Sequence, residues 1–87
     1  MIFKPKSRDE LCNAIHLYTN DKTNGISIYG DINTWDVSEI EDMSNLFSNK
    51  DNFNEDISLW NTCNVKDMSA MFSNATKFNF LFLNHLI

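Results

Sequence analysis

Shifting the chain by 25 residues lays Tyr29–Phe53 over Asn54–Phe78 without a gap. Ten positions are identical: Asp31/Asp56, Ile32/Ile57, Trp35/Trp60, Asp42/Asp67, Met43/Met68, Ser44/Ser69, Phe47/Phe72, Ser48/Ser73, Asn49/Asn74 and Phe53/Phe78. Ile40/Val65, Leu46/Met71 and Asp36/Asn61 are conservative exchanges. Tryptophan and methionine are rare residues, so their coincidence weighs heavily. A unit of this length is one supersecondary piece whose apolar face is covered only by its neighbours. The period therefore predicts a solenoid, propeller or array.

Two patterns lie inside each unit. Ile40, Met43, Leu46 and Phe47 share one face of a short helix. Ser38 and Glu41 form a capping box at its start, and Glu39, Glu41 and Asp42 place negative charge in its first turn. The second copy repeats the stripe as Val65, Met68, Met71 and Phe72, with Thr62 or Asn64 as N-cap. The Asp-Ile-x-x-Trp piece of each unit suits a brief strand with its Ile and Trp turned inward.

Ahead of the repeats, Ser7-Arg8-Asp9-Glu10 is another capping box, followed by the stripe Leu11, Ala14, Ile15, Tyr18. This predicts an amphipathic helix over Arg8–Thr19, ended by the turn-forming run Asn20–Gly25 and placed to cap the array. The far end departs from the period. After Asn79 the pattern calls for Asp-Ile-x-x-Trp, and the chain supplies Phe80, Leu81, Phe82, Leu83, Asn84 and His85 instead. This is either a truncated or frame-shifted third unit or an apolar lid.

Composition narrows the functional classes. Seven Lys plus Arg against twelve Asp plus Glu give a net charge of -5, a poor match for nucleic-acid phosphate or anionic lipid. Two cysteines are too few for a disulfide-dense mini-protein. No stretch approaches the length of a membrane span or the apolar run of a secretory signal. The expected location is intracellular or within a viral particle. Asparagine occurs thirteen times, from A/T-rich coding or from many turns that need its side chain.

Chemistry-bearing residues are sparse. Cys12 lies four residues before His16 on the predicted cap helix, a nucleophile–base spacing with no nameable oxyanion or orienting partner. Cys63 reads as a small buried residue. Cysteine and histidine show no metal-ligand spacing. The pairs Asp31/Asp56 and Asp42/Asp67 would form carboxylate ladders, suited to caps and turns or to a cation, though no calcium-loop spacing is present. Trp35 and Trp60 would stack, as core if buried or as a glycan platform if exposed. Asn74-Ala75-Thr76 is a lone glycosylation sequon. No catalytic residue, cofactor or metal is assigned.

The run from Asp31 to Phe47, Asp-Ile-Asn-Thr-Trp-Asp-Val-Ser-Glu-Ile-Glu-Asp-Met-Ser-Asn-Leu-Phe, resembles the unit of the BspA-like leucine-rich-repeat surface proteins. The same unit recurs in mycoplasma lipoproteins and large DNA viruses. The resemblance covers about residues 7 to 79; it departs at Cys63, where that family has Ser, and after Asn79. It implies an α/β, leucine-rich-repeat-like solenoid, surface display, adhesion or protein binding in bacterial members, and no catalytic residues.

The expected architecture is thus a single domain over residues 1–87: a helical cap (1–28), two 25-residue helix-plus-short-strand repeats (29–53 and 54–78) and an apolar tail or truncated third repeat (79–87). Its expected core is Ile32, Trp35, Ile40, Met43, Phe47, Phe53, Ile57, Trp60, Val65, Met68, Phe72 and Phe78. The expected function is non-enzymatic protein–protein contact, by self-association or with a heterologous partner, through Phe80, Leu81, Phe82, Leu83, Leu86 and Ile87. The alternatives are a structural component of a viral particle or other large assembly, and a glycan-binding or adhesion surface.

Overall fold

A computed structural model describes residues 2–79. Two helices come first: α1 (Arg8–Asn20) and α2 (Lys22–Tyr29). The Ser7 side chain accepts from the Glu10 N–H and caps α1. Glu10 Oε1 in turn accepts from the N–H of Lys6, one residue earlier than a reciprocal capping box requires. The stripe Leu11, Ala14, Ile15 and Tyr18 is buried.

The segment expected to end this helix instead begins another. Asp21 accepts from the Asn24 N–H and caps α2, so Asn20–Gly25 is a helix junction rather than an open turn. Gly25 is the one buried residue of α2. A Cβ placed on it would meet the Tyr18 Cα at 2.7 Å, so glycine lets the two helices touch through their backbones.

The two 25-residue copies are where the expected fold class fails. Among the described residues they contain no α-helix and no sheet: only a 3₁₀ turn over Ile32–Thr34 and an isolated parallel bridge between Asp42 and Asp67. An α/β, leucine-rich-repeat-like solenoid of helix-plus-strand units is therefore overturned, and among the described residues α-helix is confined to residues 8–29. The Asp-Ile-x-x-Trp pieces are turns, closed by bonds from Trp35 N to Ile32 O and from Trp60 N to Ile57 O.

Local chemistry explains why residues 40–47 do not coil. Asn45 and Asn49 sit at φ of 58° and 63°, and Ala70 and Asn74 repeat this at 54° and 62°. A right-handed helix tolerates no such residue. Turns close around them instead, from Leu46 N to Met43 O and from Lys50 N to Phe47 O, with Met71 to Met68 and Ala75 to Phe72 in the second copy. A positive φ at the third turn position marks a type II turn, where asparagine is well suited. The side chains of Asp42 and Asp67 also capture the N–H groups of Ser44 and Ser69, which a helix would need for its own ladder.

The N–H groups freed from helix bonding join the copies. Met43 N donates to Asp67 O at 2.8 Å, Asn45 N to Ser69 O at 3.0 Å, Phe47 N to Met71 O at 2.8 Å and Asn49 N to Ser73 O at 2.8 Å. This is the N–H half of a parallel ladder; the carbonyls of Met43, Asn45 and Phe47 are used in turns. Side chains follow the same offset. Trp35 stacks over Trp60 with centroids 6.4 Å apart, Phe47 over Phe72 at 5.4 Å and Phe53 over Phe78 at 5.5 Å.

Ala70 lacks the side chain that eases the left-handed conformation at Asn45, Asn49 and Asn74. An L-residue held there carries a penalty of about 1–2 kcal/mol, which glycine escapes. Ala70 is exposed, so its methyl contributes no core packing. Ala70→Gly is expected to stabilise the chain by about 1 kcal/mol, seen as a higher urea midpoint at unchanged slope.

Candidate functional site

Five Asx turns shape the rim of the two copies. Asp36 accepts from Ser38 N, Asp42 from Ser44 N, Asp56 from Ser58 N, Asp67 from Ser69 N, and Asn61 from Cys63 N. The hydroxyls of Ser38, Ser44 and Ser58, ahead of the backbone N–H groups, hold Asp36, Asp42 and Asp56 below the usual carboxylate range. For Asp67 the Ser69 N–H leads and its hydroxyl follows, outweighing repulsion from Asp42. The aspartates expected to form a ladder at 42 and 67 are thus turn acceptors. Among the described residues no group of three or more His, Cys, Asp or Glu is placed to hold a metal ion.

These depressed pKa values have a direction in folding. A carboxylate stabilised in the folded state contributes fully above its unfolded pKa, near 4, and the contribution is lost as pH falls through the folded value. The urea midpoint is therefore expected to fall between pH 7 and pH 3. Replacing Asp36, Asp42, Asp56 and Asp67 together by Asn should flatten that fall. An unchanged pH profile in the fourfold variant would show that these turns do not carry the acid sensitivity.

The core residues expected from the repeat are all buried in the first copy and in part in the second. Ile32, Trp35, Ile40, Met43, Phe47, Phe53, Ile57, Trp60 and Phe78 are buried, whereas Val65, Met68 and Phe72 are partly buried. The first copy lies between the helical cap and the second copy. Among the described residues the second copy is flanked on one side only. The first side is closed by a side chain that sequence reasoning passed over: Arg8 donates from Nη1 to Asp42 O at 3.0 Å and from Nη2 to Ser44 O. Those carbonyls are the counterparts of Asp67 O and Ser69 O, which accept from Met43 N and Asn45 N. One guanidinium fork thus takes the place of two main-chain donors. Its only sequence signal is that Arg8 is the sole arginine.

On the far side, the N–H groups of Met68, Ala70 and Asn74 correspond to those of Met43, Asn45 and Asn49. Among the described residues they make no hydrogen bond. Asn74 Nδ2 donates to Asn49 Oδ1 at 3.0 Å, tying the last turn to its counterpart. The interface residues expected at Phe80, Leu81, Phe82, Leu83, Leu86 and Ile87 lie outside the described residues.

The remaining sequence candidates are dispersed. Trp35 and Trp60 are 3% and 2% exposed, so they offer no ring face to a sugar. Their indole N–H groups donate to Gly30 O and Ile32 O. Cys12 packs partly buried against the core, and His16 turns its Nδ1 toward Lys50 Nζ, 3.5 Å away. Cys63, expected to be buried, is exposed, because its backbone N–H is held by the outward Asn61 turn. An open groove of about 490 Å³ lies where α1, α2 and the segment 49–55 meet. Lys22 and Glu55 pair across it at 3.0 Å, and Lys50 and Asp51 add balancing charges. The Thr19 hydroxyl at its edge donates to Ile15 O. Among the described residues no helix is long and apolar enough to cross a membrane.

A family model described as a Mycoplasma protein of unknown function, DUF285, matches residues 16–83. No curated protein and no solved structure matches the chain.

Proposed function

The chain belongs to the Mycoplasma DUF285 family of unknown function, and from that premise we propose that it is a non-catalytic protein-contact module. Contact is made through the side of the second copy that faces away from the helical cap. The observation that carries this reading is the asymmetry of the two ends. Asp42 O and Ser44 O are closed by Arg8, while among the described residues no group accepts from the N–H groups of Met68, Ala70 and Asn74. Partly buried Val65 and Met68 add apolar surface on the same copy. The resemblance to BspA-like surface proteins, whose bacterial members act in display and adhesion, agrees with a contact role.

The test is a photo-crosslinking amino acid placed at Ala70, on the open side, or at Asn13, exposed on α1. In cells producing the full chain, position 70 is expected to trap one discrete protein, identified by mass spectrometry, and position 13 none. Equal crosslinking from both positions, or none from either, overturns the reading.

A further inference from the structure

We propose that Asn24 and Gly25 form a self-modifying site, in which an intramolecular deamidation held back by α2 converts Asn24 to aspartate or isoaspartate. Of the thirteen asparagines, Asn24 alone precedes a glycine. With no Cβ on the following residue, its main-chain nitrogen approaches the asparagine Cγ without obstruction. Packing holds that glycine in place, since a Cβ on Gly25 would meet the Tyr18 Cα at 2.7 Å. The close contact between α1 and α2 therefore carries the reactive pair with it.

The reaction consumes only water. The Gly25 nitrogen attacks the Asn24 Cγ, and the new N–C bond closes a succinimide ring. The Cγ–Nδ2 bond breaks, and the proton lost from Gly25 N leaves with ammonia. Water then opens the ring on one of its two sides. Cleavage at Cγ leaves aspartate in the ordinary main chain. Cleavage at the main-chain carbonyl carbon leaves isoaspartate, with the main chain rerouted through Cβ and Cγ. That route adds a main-chain atom to the first turn of α2, which breaks its hydrogen-bond spacing and displaces Gly25 from Tyr18.

In the closed helix one residue restrains both reactants. Gly25 N donates to Asp21 O at 2.9 Å, and Asn24 Nδ2 donates to Asp21 Oδ2 at 3.0 Å. Asp21 Oδ1 also accepts from the Asn24 N–H and so caps the helix. The restraint is light. Gly25 is the one buried residue of α2, Asn24 is exposed, and a segment with so little burial opens at low cost. Each opening frees the Gly25 nitrogen. The change does not reverse, so it accumulates with the age of the chain and loosens α2, which the Lys22–Glu55 pair at 3.0 Å ties to the second copy.

The test is timed incubation of the full chain in mildly alkaline buffer, with each asparagine followed by peptide mass spectrometry and isoaspartate separated by chromatography. Asn24 is expected to convert ahead of every other asparagine in the folded chain. Unfolding in urea is expected to raise its rate roughly tenfold or more, because α2 is then always open. Asp21→Ala is expected to raise the rate in the folded chain about fivefold, the shift in opening that loss of an N-cap brings. In urea the variant and the parent chain should convert at the same rate. Asp21→Ser, which keeps a capping oxygen, should fall between the two in the folded chain. The inference is overturned if another asparagine converts first in the folded chain, if urea leaves the Asn24 rate unchanged, or if Asp21→Ala has no effect on the folded chain or an equal effect in urea.

Discussion

Phe47→Ala is expected to destabilise the chain by about 3–5 kcal/mol, the range for emptying a fully buried aromatic site. Phe47 is 0% exposed and touches three other rings: Phe53 at 4.1 Å, Phe72 at 5.4 Å and Trp60 at 5.9 Å. Among the described residues it is the ring that joins the Phe column to the Trp column, so its removal opens a cavity at their junction. A domain of this length holds on the order of 4–13 kcal/mol in total, and the loss is a large share of it. Urea unfolding followed by tryptophan fluorescence measures it, since Trp60 lies in the same cluster. A matched pair tests whether position in the stack sets the size of the effect. Met43 is fully buried and Met68 partly buried at the same register. Met43→Ala is expected to fall within the usual range of about 2–5 kcal/mol for such truncations, and Met68→Ala below it. Equal losses at the two methionines would mean that the second copy is covered as fully as the first.

Side-chain burial and backbone geometry differ in how far they could be read in advance. The α1 helix is written in two local signals, the Ser7 cap and the four-residue stripe, and both act within one helix. The segment 40–47 carries an equally good helical stripe, yet apolar residues at 40, 43, 46 and 47 are buried just as well by successive turns. Spacing alone does not separate the two backbones. The separating signal is asparagine at 45, 49 and 74, each with positive φ, but a high asparagine content also follows from coding bias. The α2 helix was hidden for the opposite reason. Its one buried residue is Gly25, and Ile26 and Ile28 are 37% and 64% exposed, so no apolar stripe announces it. The open N–H row has no side-chain signature at all. It follows from which main-chain groups the Asx and β-turns consume, and that emerges only once the turns are in place.

Arg8→Met is expected to cost about 2 kcal/mol. The substitution keeps an unbranched apolar stem and removes two charge-assisted donors. Hydrogen bonds from a charged group are worth about 1.5–3 kcal/mol each, but the Arg8 side chain is 33% exposed, and water reclaims part of that. The loss should arise at the carbonyls of Asp42 and Ser44 rather than at the Asp42 carboxylate. The ion pair from Nη1 to Oδ1 is longer, 3.6 Å, and the Asp42 side chain is 52% exposed, so it contributes at most about 1 kcal/mol. A double-mutant cycle of Arg8→Met with Asp42→Asn separates the two sources. A coupling energy below about 1 kcal/mol, with most of the loss surviving in the Asp42→Asn background, is the expected result. Arg8→Lys should recover less than half, because an ammonium is a point charge without the planar fork that aims a separate N–H at each carbonyl. Full recovery by lysine, or a loss that disappears in high salt, would reduce Arg8 to a surface charge and leave the first copy without the donor pair assigned to it.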